Sequence, residues 1–85
     1  MKAKHELKIE HKYFQAVKDG RKKFEIRKND RGFQEGDLLI LREYDPITQE
    51  YLGRIMKVEI SYMPDFPLKD GYVVFGIKEI WKGEE

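Results

Sequence analysis

The side chains best suited to chemistry lie close together in residues 19–30, DGRKKFEIRKND. This stretch places five cations around one glutamate: Arg21, Lys22, Lys23, Glu25, Arg27 and Lys28. Cations at the edge of a cleft can bind a phosphate, and a glutamate between them can orient a guanidinium group. A lysine beside a glutamate can also transfer protons when burial shifts their pKa values. The stretch therefore predicts an anion-binding site or a catalytic strip, with a solvated strand face as the plain alternative.

Apolar and polar residues alternate along most of the chain, which locates the elements that must position this stretch. The alternation predicts strands over residues 5–10, 22–28, 38–44, 51–62 and 72–81, and a helical period covers residues 11–20. The short helix has Tyr13, Phe14 and Val17 on one face. Gly20 suits its left-handed C-terminal end. Residues 19–30 therefore lead from the end of a helix into the second strand.

The predicted fold class is mainly β with one short helix (α+β), in a single domain that spans residues 1–85. A sheet of about five strands has long unpaired edges unless it closes, so a closed or nearly closed β-barrel is favoured over an open sheet. The apolar run 38–41 predicts a strand that is buried on both sides. The helix is expected to cap one opening, which brings residues 19–30 to the barrel mouth.

The alternation also predicts which side chains share a face. In the second strand Phe24 and Ile26 point to one side, opposite Glu25 and Arg27. Lys22 falls on the Phe24 face, so it meets Glu25 only if it precedes the regular strand or if a bulge redirects it. In the fourth strand one face is predicted to hold Leu52, Met56, Val58, Ile60 and Tyr62.

Composition excludes several classes of protein. The formal net charge is +1, so the chain is not a uniformly cationic nucleic-acid binder, but residues 1–31 hold eleven cations against five acidic residues. There is no cysteine, which excludes disulfides, thiolate nucleophiles and thiolate metal sites. No apolar run approaches the ~18 residues of a membrane span, so no membrane association and a cytoplasmic location are expected.

The two histidines do not suggest a metal site. His5 and His11 lack a metal-binding spacing, so no metal and no cofactor are expected. His5 is in phase with Leu7 and Ile9 and is interpreted as a partly buried structural residue. Hydrogen bonding at the barrel mouth is the alternative for this side chain.

The aromatic side chains are candidates either for base stacking or for the core. The candidates are Tyr44, Tyr51, Tyr62, Phe66, Tyr72 and Trp81. Most of them are expected to pack in the core or across strands. Phe66 lies between Pro64 and Pro67 in a loop, where it either folds back onto the barrel or is presented to a ligand.

Three runs of the sequence resemble a family of uncharacterised small bacterial and phage proteins grouped with the ASCH and PUA-like domains. They are YFQAVKDGRKKFEIRKND, FQEGDLLILREYDPITQEYLGR and GYVVFGI, which together cover most of the chain. The most specific pattern is Gly20, Lys22, Glu25 and Arg27, joined to a turn at Gly36 and Asp37. The resemblance implies a PUA-like, ASCH-like β-barrel that binds RNA or modified nucleic acid in a cleft beside this pattern.

Some ASCH-like relatives are amidohydrolases that remove the acetyl group from N4-acetylcytidine with a lysine, a threonine and a glutamate. Lys22 matches the lysine of that set, but Glu25 stands at the threonine position. The resemblance therefore implies that the hydroxyl nucleophile is missing here, which favours binding over catalysis.

The leading hypothesis is a nucleic-acid-binding module, for RNA above all, with a basic cleft at the barrel mouth. The phosphate contacts are assigned to Arg21, Lys22, Lys23, Arg27 and Lys28. Glu25 is expected either to fix Arg27 or to accept a hydrogen bond from a base edge. One alternative is a small amidohydrolase-like enzyme that acts on a modified nucleoside through Lys22 and Glu25. The other is a protein-interaction domain that uses an exposed barrel edge, or Phe66 with Trp81, to form a homodimer or to bind another protein.

Overall fold

A computed structural model of the chain describes residues 2–66 and 68–81, the side chain of Trp81 excepted. The elements in chain order are β1 (Lys4–Glu10), α1 (His11–Lys18), β2 (Phe24–Lys28), β3 (Leu38–Asp45), β4 (Glu50–Tyr62), a 3₁₀ turn (Lys69–Gly71) and β5 (Tyr72–Trp81). The prediction of a mainly β chain with one short helix is confirmed. Pro67, the Trp81 ring and the tail at 82–85 lie outside the described residues.

The five strands form one sheet in the order β1-β3-β4-β5-β2. β1 pairs with β3 in parallel, and the other three neighbouring pairs are antiparallel. The sheet curls into a half-barrel whose two edges are β1 and β2, so the prediction of a closed or nearly closed barrel is met only in part: the sheet is curled, but β1 and β2 are not paired with each other. Phe14 and Val17 of α1 are buried in the core of the half-barrel. Because the helix supplies this apolar surface, the core is covered without β1 and β2 pairing.

The core is a single cluster of apolar side chains on the inner face of the sheet. Its buried members are Leu7, Ile9, Phe14, Val17, Phe33, Leu39, Leu41, Met56, Val58, Ile60, Phe75 and Ile77. In β3 buried residues alternate with partly exposed ones, so the prediction of a strand fully buried on both sides is wrong. On α1 Tyr13 is exposed, and only Phe14 and Val17 of its predicted apolar face are buried. In the part of the chain that is described, no helix is both long enough and apolar enough to cross a membrane.

Two strands present faces that simple alternation does not predict. In β2 the buried side chain is Glu25, while Phe24 and Ile26 are exposed on the outer face of the sheet. In β4 a register shift between Ile60 and Tyr62 adds one residue relative to β5. Such a bulge turns the next side chain to the opposite face. Tyr62 is therefore exposed although Ile60 is buried, and its predicted place on the same face as Ile60 is wrong; Leu52 is also exposed.

Arginine side chains bridge the open gap between β1 and β2, which we call the seam. The Leu38 N–H donates to the Ala3 carbonyl at 2.9 Å, so the odd-numbered residues of β1 bond to β3 and the even-numbered carbonyls face the seam. Arg27 Nη2 of β2 donates to the Lys8 carbonyl at 3.1 Å. Arg31 Nη1 donates to the Glu6 carbonyl at 3.0 Å. Side chains thus take the place of backbone pairing at this edge.

Candidate functional site

A cleft of about 460 Å³ opens along the seam. It is lined by Lys8, Ile9, Glu10, Tyr13, Lys22, Phe24, Glu25, Ile26 and Arg27. The wall on one side comes from β1 and the start of α1, and the wall on the other side comes from β2 and the residue segment before it. Edge strands line this cleft, and two of their carbonyls, those of Lys8 and Phe24, are bound there by Arg27 and Lys22.

Glu25 lies at the centre of an ion-pair cluster in the cleft. Arg27 Nε donates to Glu25 Oε2 at 2.8 Å, and Arg27 Nη2 lies 2.7 Å from the same oxygen. Lys22 Nζ donates to the other carboxylate oxygen, Oε1, and also to the Phe24 carbonyl at 2.7 Å. The Glu25 carboxylate is buried, whereas the two cations are only partly buried. The carboxylate is therefore matched on both oxygens, and the cations lie between it and the solvent.

The backbone before β2 explains why Lys22 can reach Glu25. The Lys22 N–H donates to the Ala16 carbonyl at 3.0 Å, which holds this residue against the end of α1. Gly20, with φ of +81°, provides the left-handed turn that brings the chain round. The strand begins only at Phe24, so Lys22 precedes it and strict alternation does not govern its direction. From the sequence, Lys22 was expected to meet Glu25 only if it precedes the regular strand or if a bulge redirects it. In the structure Lys22 precedes the strand.

The charge of the cleft is nearly balanced. Its lining has three cations, Lys8, Lys22 and Arg27, and two carboxylates, Glu10 and Glu25. Among the described residues Arg27 Nη1 has no hydrogen-bond partner, while its other nitrogens are bound as given above. Charged hydrogen bonds held in a fixed geometry are stronger and more directional than those of free surface cations. The cleft is thus better suited to one planar or anionic group than to a long row of negative charges.

Aromatic rings stand at the rim of the cleft. Tyr13 and Phe24 are both exposed, and Lys22 Nζ lies 5.8 Å and 5.0 Å from the centres of their rings. On the other wall Lys8 Nζ lies 4.4 Å from the ring of Tyr44, which does not itself line the cleft. Exposed rings beside cations can hold a flat ligand by stacking while the cations contact its phosphate.

The six residues predicted for the site fall into separate places. Lys22, Glu25 and Arg27 meet in the cleft, as described. Arg21 is exposed and turns to Asp19, at 3.1 Å. Lys23 lines a second cavity of about 330 Å³, which Lys22 also borders, and Lys28 lines a third of about 170 Å³, which Arg27 also borders. Half of the predicted strip therefore lies outside the main cleft.

Sequence reasoning missed six of the nine residues that line the cleft, among them Lys8 and Tyr13. Tyr13 was expected on the buried face of the helix together with Phe14 and Val17. The two buried residues of α1, Phe14 and Val17, determine how the helix is rotated over the sheet. In this rotation Tyr13 is exposed. Lys8 belongs to the outward phase of β1. Its importance follows only from β1 being an edge strand, and the sequence gives no signal for that.

A buried pair at the other end of β1 has a structural role. His5 Nε2 and Asp37 Oδ2 are 2.9 Å apart, and Asp37 also accepts the Ala3 and Gln34 N–H groups at 3.0 and 3.1 Å. Burial raises the pKa of the Asp37 carboxyl, but the hydrogen bonds from Ala3, His5 and Gln34 outweigh it and hold that pKa below its ordinary value. The His5 ring packs edge-on to Phe33, 4.8 Å between centres. This geometry agrees with the structural interpretation of His5.

A second buried glutamate, Glu43 of β3, is bound by Arg54 of β4. Arg54 Nε donates to Oε1 at 2.9 Å and Nη2 to Oε2 at 2.8 Å, a two-pronged contact. Arg54 Nη2 also donates to Gln15 Oε1 of α1 at 3.0 Å. The hydrogen bonds from Arg54 hold the pKa of Glu43 below its ordinary value and outweigh the effect of burial. The pair ties the helix to the β3–β4 hairpin.

The remaining candidates bear on partners and metals. Phe66 is exposed rather than folded back onto the sheet, and the Trp81 ring proposed to act with it lies outside the described residues. Within residues 2–66 and 68–81, no group of three histidine or carboxylate side chains is arranged to hold a metal ion. Tyr44 and Tyr51 pack on each other at 5.5 Å between ring centres, a cross-strand contact of the expected kind.

Comparison with known proteins finds relatives along most of the chain. Residues 4–77 match the family model described as a domain of unknown function, DUF3850. A curated relative from Escherichia phage P2, described as an uncharacterized 12.9 kDa protein in the GpA 3' region, is 41% identical over 61 residues. Those residues are 72% of this chain and 54% of the relative, so the chain spans about half the length of the curated protein it matches.

Proposed function

Starting from the premise that the chain belongs to the DUF3850 family and has a relative in Escherichia phage P2, we propose that it is a nucleic-acid-binding module whose cleft at the seam holds RNA. Lys22 and Arg27 contact phosphate in this proposal, Lys8 contacts it from the opposite wall, and Tyr13 and Phe24 stack on a base. Glu25 fixes the direction of both cations. The half-barrel is proposed to be a reduced form of the PUA-like, ASCH-like β-barrel.

The observation that carries the proposal is the Glu25 cluster inside the cleft. A carboxylate bound on both oxygens holds Lys22 and Arg27 in fixed positions, and Arg27 Nη1 is left without a partner among the described residues. Cations that are positioned in advance lose less conformational entropy when they bind an anion. Exposed rings beside these cations supply stacking that does not depend on base identity.

The small net charge of the cleft sets the expected affinity and its dependence on salt. Three cations that each neutralise one phosphate of a single strand give a slope of log Kobs against log salt concentration of about −2. Glu25 and Glu10 reduce the field at the cleft, so binding is expected to be moderate in strength. Steep salt dependence like that of a polycationic protein is not expected.

The test compares matched lysines on β1. Lys8 and Lys4 both belong to the outward phase of this strand, but only Lys8 lines the cleft. Lys8→Gln is expected to weaken binding to a single-stranded RNA about tenfold at low salt and to reduce the salt slope by about 0.7. Lys4→Gln, which removes the same charge outside the cleft, is expected to leave both values nearly unchanged. Fluorescence anisotropy over a series of salt concentrations measures them.

A second matched pair separates the two halves of the predicted strip. Lys22→Gln is expected to weaken binding, whereas Lys23→Gln, which changes the neighbouring residue facing the second cavity, is not. Equal effects of the two substitutions would contradict the assignment of the cleft.

The enzymatic alternative, in which Lys22 and Glu25 act as a proton-transfer pair, has its own test. The protein is incubated with N4-acetylcytidine and the products are followed by mass spectrometry. Turnover that is lost in Lys22→Gln would replace the binding proposal.

Two further expectations accompany the proposal. A cytoplasmic location suits a protein that binds RNA. A homodimer through Phe66 is proposed as a secondary possibility because this ring is exposed in its loop. Sedimentation of Phe66→Ser against the unchanged protein tests it, and a monomer at high concentration for both would exclude this contact.

A further inference from the structure

The outer face of the half-barrel has an exposed apolar surface next to the cleft. Its members, which we call the aromatic face, are Phe24 and Ile26 of β2, Tyr62 of β4, and Tyr72 and Val74 of β5. Three of the five are aromatic, and all but the partly exposed Val74 are exposed. Single exposed apolar residues are ordinary on a protein surface, but a contiguous set on one face indicates a contact surface.

The strand register explains why these side chains gather on one face. Phe75 and Ile77 of β5 are buried, so the even-numbered residues of this strand point outward. Ile26 is opposite Val74, and Phe24 is opposite Gly76. Residues opposite each other on neighbouring strands share a face. The aromatic face is therefore fixed by the β2–β5 pairing.

The bulge in β4 completes this face. Tyr62 is opposite Gly76, so Phe24 and Tyr62 stand on either side of this glycine, separated by about 10 Å, or two strand spacings. Gly76 does not have a left-handed φ, so the backbone does not require glycine there. A Cβ at this position would lie 3.1 Å from Ser61 Oγ. The side chain of Ser61 thus lies over the glycine, between the two exposed rings.

Cations border the aromatic face on several sides. Lys28 is opposite Tyr72, and Lys78 follows Gly76 in the outward phase of β5. Lys22 Nζ lies 5.0 Å from the Phe24 ring. Two carboxylates offset part of this charge: Glu25 is bound to Lys22, and Glu59 is opposite Lys78. Rings interleaved with cations suit a ligand that has planar groups on an anionic backbone.

We propose that the aromatic face is a stacking platform for the bases of a single-stranded nucleic acid whose strand continues from the cleft. The inference rests on the proposed function, because Phe24 and Ile26 belong to both the cleft and the face. A duplex hides the faces of its bases inside the stack, so only an unpaired strand can use such a platform. The ligand class is therefore single-stranded RNA long enough to extend beyond the cleft.

The experiment uses two tyrosines of the face that do not line the cleft. The double variant Tyr62→Ser with Tyr72→Ser is compared with Tyr51→Ser, which changes a tyrosine of similar exposure, 47% against 64% and 41%, on the β3–β4 hairpin. The probes are a ten-nucleotide single-stranded RNA, the same RNA paired with its complement, and a mononucleotide. Each lost stacking contact is expected to weaken binding of the single strand about 5- to 150-fold. Tyr51→Ser is expected to leave it unchanged.

The outcomes separate the platform from the cleft. A double variant that loses affinity for the single strand but binds the mononucleotide like the unchanged protein supports the platform. Unchanged affinity for the ten-nucleotide strand in the double variant, with binding still lost in Lys8→Gln, overturns the platform and leaves the proposed function standing. Absence of RNA binding by the unchanged protein overturns both. A dimer in sedimentation that dissociates in the double variant, with RNA affinity unchanged, assigns the face to a second copy of the chain instead.

Discussion

Glu25 and Glu43 are both almost fully buried, with exposed fractions of 4% and 6%, and each is bound by an arginine. The regions around them differ. Arg54 engages both oxygens of Glu43 in one two-pronged contact and extends it to Gln15 of the helix. Glu25 instead shares its oxygens between two cations that line a cleft. The first arrangement joins elements, and the second leaves two cations lining a cleft.

This comparison separates two signals that are easily confused. Burial and ion pairing are present in both clusters, so neither property marks a functional site by itself. Only the Glu25 cluster adds a cavity, exposed rings and a guanidinium nitrogen without a partner among the described residues. The combination, rather than the buried charge, is what supports a ligand site.

The largest effect is expected from removing both cations of the Glu25 cluster. Lys22→Met with Arg27→Met leaves a buried carboxylate without a counterion, which should reduce the free energy of unfolding by about 3 kcal/mol. Adding Glu25→Met should restore most of that loss, because three apolar side chains can replace a buried charge cluster at little cost. Urea unfolding of the double and triple variants measures both changes.

The triple variant is also the control for this experiment. Its affinity for RNA should stay low although its stability returns, because the cations are absent. If the triple variant is no more stable than the double variant, the destabilisation arises from lost packing of the long side chains rather than from the buried charge.

Strand β2 shows how much of such a site the sequence determines. Alternation identified correctly that Glu25 and Arg27 oppose Phe24 and Ile26. It did not identify which of the two faces points inward. Apolar side chains usually point inward, but in β2 the Glu25 side chain points inward instead. The inversion becomes favourable only through Lys22 and Arg27, which neutralise the carboxylate. The order of elements was thus predictable from local periodicity, while the orientation of an edge strand depends on its tertiary partners.

Long-range contacts account for the other differences. Arg31 reaches the Glu6 carbonyl across 25 positions of the chain, and no local pattern signals that contact. The open sheet follows from which strands become edges, and local periodicity alone permits more than one order of five strands. The exposure of Tyr62 follows from one extra residue in β4. A bulge of one residue has no reliable sequence signature, so the aromatic face was not predictable.

A smaller effect, dependent on pH, is expected for the Glu43 cluster. Its folded pKa is lowered, so the stability contributed by the pair is present above the pKa of an unfolded glutamate, about 4.3, and is lost as the pH falls through the folded value. Arg54→Met should therefore lower the free energy of unfolding by about 1.5 kcal/mol at pH 7 and by less at acidic pH. Because the arginine is half-exposed, this value is smaller than for a fully buried pair. Urea unfolding at several pH values measures the difference. A difference that does not depend on pH would indicate lost packing of Arg54 on Phe14, whose ring centre is 4.9 Å away.

The smallest effect sharpens the role of Glu25 itself. Glu25→Gln keeps the shape of the side chain but removes its charge, so Lys22 and Arg27 face the ligand with their full charge. Binding of single-stranded RNA should strengthen about two- to fivefold at low salt, and the salt slope should become steeper. Glu43→Gln is the matched control, since it removes a buried glutamate charge outside the cleft and should leave RNA affinity unchanged. Fluorescence anisotropy measures the change: weaker binding of Glu25→Gln would contradict this expectation and would show that holding Lys22 and Arg27 in place, or accepting a hydrogen bond from a base edge, outweighs the charge that the carboxylate cancels.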